Sequence, residues 1–88
     1  MASDDKRRQR RETRLLQKES TWLQKALFAL QRAEETHERI ADLREEEPEP
    51  YTLSVDDEAM ELEALEAALS ARVQDLSERV RERRQRMR

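Results

Sequence analysis

Glycine is absent from all 88 residues. With it go the phosphate-cradling loop, the dinucleotide fingerprint and the nucleophile elbow, each of which needs Gly at fixed positions. Cysteine is also absent, which excludes a disulfide framework and thiolate metal sites. The only aromatics are Trp22, Phe28 and Tyr51, too little ring mass to anchor a globule at a length where one core contributes only a few kcal/mol. No apolar run approaches the roughly 18 residues of a membrane span. The start, Met1-Ala2-Ser3-Asp4-Asp5, is polar and acidic, unlike a secretory signal. A soluble, intracellular chain is the expectation.

What is present is a helix-forming vocabulary. Charged residues make up 44% and hydrophobic ones 35%, a balance that disordered chains share. The abundance of Ala, Leu, Glu, Arg and Gln, with proline confined to Pro48 and Pro50, argues instead for long helices. Pro48 disfavours a helical Glu47, and neither proline can donate a backbone hydrogen bond, so a first helix is expected to end near Arg44–Glu46. Ser54 has the makings of an N-cap. Asp57 stands where a capping box has Glu, and Asp56, Asp57 and Glu58 load the first turn with the charge a helix start favours. The expected organisation is a basic segment over 1–14, helix one over 15–46, an acidic proline-containing turn over 47–54, and helix two over 55–88 with an Arg-rich end.

In the first segment Leu16, Leu23, Leu30 and His37 form a strict seven-residue row. Leu15, Trp22, Ala29, Thr36 and Leu43 lie on one flank and Ala26, Ala33 and Ile40 on the other, so the apolar stripe is wider than one neighbouring helix covers. Trp22 and Phe28 lie about 240° apart around the helix and cannot share a seam. In the second segment Leu62, Leu65, Leu69, Val73, Leu76, Val80 and Met87 contain eleven-residue separations, which favour a straight or slightly right-handed coil. Reversal at 48–54 pairs residues whose numbers sum to about 102: Ile40 with Leu62, Ala33 with Leu69, Ala26 with Leu76, Leu16 with Met87. The fold class expected is all-α: two long helices forming an antiparallel helical hairpin or coiled coil, completed by partner helices.

Charge is segregated along the chain. Residues 1–14 carry a net +3, residues 42–66 a net −10 and residues 79–88 a net +5, within an overall −3. A hairpin therefore has a basic pole where its ends meet and an acidic tip at its turn. The candidate phosphate or import contacts are Lys6, Arg7, Arg8, Arg10 and Arg11, with Arg81, Arg83, Arg84 and Arg86.

Candidate chemistry weakens under the same reading. His37 has Ala41 one turn on and no Cys anywhere, so a structural role is expected for it rather than metal binding or catalysis. The carboxylates Asp56, Asp57, Glu58, Glu61, Glu63 and Glu66 lack a Gly-containing calcium loop and lie along diverging helix faces. Ser20, Ser54, Ser70 and Ser77 have no neighbouring base; Ser54 also stands in an acidic context that some kinases select, although a plain N-cap accounts for it.

The expectation is a non-enzymatic structural subunit, without cofactor or metal, of a multi-protein and by its basic clusters nuclear assembly. Partner helices would bind through Leu16, Trp22, Leu23, Leu27, Phe28, Leu30 and Ile40 of helix one and Leu62, Leu65, Leu69, Val73, Leu76 and Val80 of helix two. Three alternatives stand beside it. The terminal arginines suit non-specific nucleic-acid binding; two hairpins can self-associate into a four-helix bundle; and an acidic tip can regulate a larger enzyme, a reading by architecture alone. Neither a membrane nor a small-molecule substrate is expected.

Overall fold

The computed structural model describes residues 2–86. Helix α1 spans Ala2–Leu43, 42 residues without a break. At 1.5 Å per residue that is about 63 Å, and it sets the long dimension of a body measuring 65 × 25 × 14 Å. The segment 1–14, expected to be frayed or helical, is helical from Ala2. This changes the electrostatics of the helix start: Asp4 and Asp5 fall in the first turn, where carboxylates favour the dipole, and the arginine run begins only beyond them.

At its other end α1 stops with a Schellman-type cap. The Glu46 N–H donates to the Ala41 carbonyl at 3.0 Å and the Glu45 N–H to Asp42 at 3.1 Å, with Glu45 in the left-handed region at φ 56°. Glycine usually takes that position because it has no Cβ to clash. Here a glutamate does.

Residues 44–51 lead away without regular structure, as Pro48 and Pro50 dictate. A short antiparallel hairpin follows, β1 (Thr52–Val55) against β2 (Glu58–Glu61), pairing Thr52 with Glu61 and Val55 with Glu58. Its two-residue loop is Asp56-Asp57, both at positive φ, 50° and 64°. That is the geometry of a type I′ turn, whose twist matches paired strands, and Asp tolerates the left-handed region better than most residues. The Leu62 N–H donates to the Tyr51 carbonyl at 2.9 Å, closing the base of the hairpin. Helix α2 then spans Leu62–Arg86.

The fold is thus mostly helical, with two antiparallel helices as expected, but it is not purely α. Helix two does not begin at Val55. Ser54 sits inside β1 opposite Ala59 and caps no helix, because the Asp56-Asp57 turn directs the acidic residues into a strand pair. Helix two is therefore seven residues shorter at its start than expected. Arg83 reaches Glu12 and Arg72 reaches Glu19, pairs whose numbers add to 95 and 91, while Glu34 meets Glu66 at a sum of 100, so the pairing runs somewhat below 102. Ile40 and Ala26 accordingly point outward instead of facing Leu62 and Leu76. The proposed pairing of Leu16 with Met87 lies outside the described residues.

The inward row of α1 is Thr13, Leu16, Ser20, Leu23, Leu27, Leu30, Glu34, His37 and Ala41, all buried or half-buried and spaced alternately by three and four. Opposite stand Leu62, Glu66, Leu69, Val73, Leu76, Val80 and Arg83, again at alternating four and three. This is a heptad seam. The eleven-residue repeat read from apolar residues alone arose because Glu66 and Arg83 occupy seam positions. Among the described residues the fully enclosed apolar core is small: Ala41, Leu62, Leu76 and Val80.

Candidate helix-docking surface

Each residue immediately before an inward position of α1 lies about 100° around the helix from it. From Leu15 on, those residues, continued at the same spacing by Leu43, form a second row: Leu15, Glu19, Trp22, Ala26, Ala29, Ala33, Thr36, Ile40 and Leu43, spaced alternately by four and three. Its large members are open to solvent: Leu15 is 55% exposed, Trp22 66%, Ile40 44% and Leu43 87%. A helix with two apolar seams has room for two neighbours, and α2 fills one. The two groups expected to flank the central row on opposite sides, one headed by Trp22 and one by Ile40, prove to be the two halves of this single outer seam.

Phe28 stands apart from it, 63% exposed, with the Arg32 guanidinium 5.9 Å from its ring centroid. Of the thirteen residues read as partner contacts, only Trp22, Phe28 and Ile40 face outward. Leu16, Leu23, Leu27 and Leu30, and Leu62, Leu69, Val73, Leu76 and Val80 of helix two, are turned into the hairpin, and Leu65 is half-buried beside that row. Leu15 and Leu43 extend the outer seam and were not among the thirteen, although their seven-residue recurrence with Trp22 was visible in the sequence.

A second feature was concealed by the zero net charge of residues 15–41. Arg11, Lys18, Lys25, Arg32 and Arg39 recur at every seventh position and are all exposed. Each of the last four lies three residues beyond a member of the outer seam, which makes them neighbours on the helix surface. The Lys25 ammonium lies 4.7 Å from the centroid of the Trp22 ring, a cation–π contact that joins the basic row to the seam. On the seam's other border, Arg72 of α2 bridges Glu19 at 3.1 Å and Asp75 at 3.0 Å, and Arg79 also meets Asp75.

At the pole, Arg7, Arg10, Arg11 and Arg14 share one helix face. Asp5, Arg8, Gln9, Glu12, Arg83 and Arg86 line an open groove of about 500 Å³. Arg83 is half-buried and tied to Glu12 at 2.7 Å, so it is committed to the hairpin; Lys6, Arg81 and Arg84 are exposed. Near the tip, the His37 Nε2–H donates to the Glu49 carbonyl at 3.1 Å, and the ring meets Tyr51 edge-on at 5.0 Å. This strap ties Glu49 and Tyr51 back to α1 through His37.

The seam itself holds an acid pair. A hydrogen bond with Glu66 and the charge of Glu66, then burial and the charge of Glu35, raise the Glu34 carboxyl above its ordinary value of 4.5. One Glu66 side-chain oxygen is buried without a hydrogen-bond partner.

Among the described residues no cluster of three or more candidate ligands is placed to hold a metal ion, and no helix is long and apolar enough to cross a membrane. In comparisons with known proteins, no family model, curated protein or solved structure matches this chain.

Proposed function

We propose that this protein is a helix-docking structural subunit of a larger protein assembly, acting by binding and not by catalysis. The observation that carries the reading is the outer seam of α1. A 3–4 apolar repeat from Leu15 to Leu43, with four large side chains between 44% and 87% exposed, has the pattern that a further helix covers in a bundle. The hairpin's own core is thin, and added helix contacts would supply burial that the isolated chain lacks.

Affinity purification of the full chain, in parallel with Trp22→Glu and Leu43→Glu variants, tests the reading. Both substitutions are on the surface, and circular dichroism checks that the hairpin survives them. Stoichiometric partners retained by the wild type and lost by both variants are the expected result. Identical partners for all three chains would place binding elsewhere and refute it.

A second reading rests on the shared face of Arg7, Arg10, Arg11 and Arg14: non-specific phosphate contact, or recognition for nuclear import, at the basic pole. Phosphate binding predicts affinity for nucleic acid that falls steeply with salt and survives Trp22→Glu.

A further inference from the structure

We infer that the outer seam of α1 receives an amphipathic helix from a different protein, one whose apolar stripe is bordered by Asp or Glu at heptad spacing. This deepens the helix-docking reading and rests on it.

The steric part comes from the seam's own residues. Ala26, Ala29 and Ala33 occupy its middle, with Leu15 and Trp22 at one end and Ile40 and Leu43 at the other. Small residues at the centre permit the short end of the 8–10 Å range of interaxial distances, while the large ends supply the apolar area. From residue 15 to residue 43 the seam is about 42 Å long, matching an occupant of about four heptads.

The charge of the occupant follows from the two borders. On the α2 side, Arg72 and Arg79 already have carboxylate partners in Glu19 and Asp75. On the open side run Arg11, Lys18, Lys25, Arg32 and Arg39. Among the described residues only Arg32 of these five has an ion pair, a loose one with Glu35 at 3.9 Å. A row of cations at seven-residue intervals beside an apolar seam is the counterpart of acidic residues flanking a partner's stripe, the arrangement that sets partner choice in coiled coils.

The same row disfavours a second copy of this chain. Antiparallel pairing through the outer seam sets Lys18 near Arg39 and Lys25 near Arg32, each twice by symmetry. Parallel pairing stacks basic pole on basic pole and acidic tip on acidic tip. Nucleic acid would satisfy the cations but leave Leu15, Trp22, Ile40 and Leu43 without apolar partners.

Trp22 is the chain's one tryptophan and lies within the seam, so its fluorescence reports occupancy directly. The probes are two synthetic 28-residue helical peptides with identical Leu/Ala stripes, one flanked by Glu and the other by Lys, titrated into the full chain. The Glu-flanked peptide is expected to shift the Trp22 emission to the blue and to bind at least about tenfold more tightly than the Lys-flanked one, the sum of several rim pairs each of modest strength. That preference should shrink with added salt and reverse in the exposed triple variant Lys18→Glu/Arg32→Glu/Arg39→Glu, which leaves the Lys25 contact with Trp22 untouched.

Equal binding of the two peptides, both shifting Trp22, would overturn the acidic-partner inference while leaving the helix-docking reading in place. If neither peptide shifts Trp22, both fail together. Sedimentation of the chain alone supplies the other arm: a concentration-dependent dimer in which Trp22 is already blue-shifted makes the occupant a second copy and overturns the inference. Saturable binding of a 30-nucleotide single strand that displaces the Glu-flanked peptide and blue-shifts Trp22 overturns it in favour of nucleic acid.

Discussion

Shortening Leu76 to Ala is the most direct test of how the hairpin is held. Leu76 is fully enclosed, at 0% exposure, on the inward row of α2, and Ser20 and Gln24 of α1 line the same groove beside it. The substitution removes three buried carbons, about 2.4 kcal/mol at ~0.8 kcal/mol each, and leaves a cavity that brings Leu→Ala losses in packed cores to about 2.7–5 kcal/mol. The groove is open and polar on the Ser20 side, so water can enter part of the vacated space, and the lower part of that range, about 2.7–3 kcal/mol, applies here. An 88-residue chain has about 4–13 kcal/mol of stability in all. With only Ala41, Leu62, Leu76 and Val80 as buried apolar core among the described residues, this chain belongs near the bottom of that span. Leu76→Ala should therefore remove half or more of the net stability and lower the thermal midpoint by about 10–20 °C, followed by circular dichroism at 222 nm. Leu43→Ala is the control: Leu43 is 87% exposed, and its loss should cost no more than about 0.5 kcal/mol. Equal midpoints for the two variants would refute the packing of α2 on α1 described above.

Glu45→Gly should raise the unfolding free energy by about 1 kcal/mol, since Glu45 holds φ 56° in a region that costs a residue with a Cβ about 1–2 kcal/mol; an unchanged or lowered denaturation midpoint argues against that cap. Asp57→Gly, at φ 64°, should act the same way, whereas Asp57→Val should weaken the cross-strand contacts between β1 and β2 seen by NMR. The Glu34 carboxyl is raised above its ordinary 4.5, with Glu66 as the chief cause, so the folded state holds that proton more tightly than the unfolded chain. Its contribution to stability is fully present below pH 4.5 and is lost as the pH rises through the higher folded value. Glu34→Gln should flatten that part of the stability profile, and a profile identical to the wild type would contradict the raised value for Glu34. His37→Phe keeps a ring beside Tyr51 but deletes the bond to the Glu49 carbonyl; at about 0.5–1.5 kcal/mol for one hydrogen bond, exchange of the Leu62 amide at the base of the hairpin should quicken about 2–10-fold, and unaltered exchange would remove the strap from the account.

The composition and the 3–4 spacing of apolar residues were sufficient to specify two antiparallel helices, because a helix whose face repeats every 3.5 residues buries that face only against another helix. The surplus of apolar positions on the first helix was equally legible, and so were the basic pole and the acidic tip, which follow from residue order once the chain reverses. The β hairpin was hidden for a specific reason. Glu58-Ala59-Met60-Glu61 reads as helix by propensity, and its turn uses Asp56-Asp57 where a glycine pair would have announced it. In a chain without glycine, the three left-handed positions at Glu45, Asp56 and Asp57 carry no sequence marker. That hairpin moved the start of α2 to Leu62, and the packing of α2 on α1 left Ile40 and Ala26 exposed. Only the three-dimensional packing could separate the two seams of α1, since both have the same spacing and lie one residue apart. The same packing placed Glu66 opposite Glu34, an acid pair in the seam that a search for apolar rows passes over, because what brings them together is the position of each on its helix and not any affinity between them.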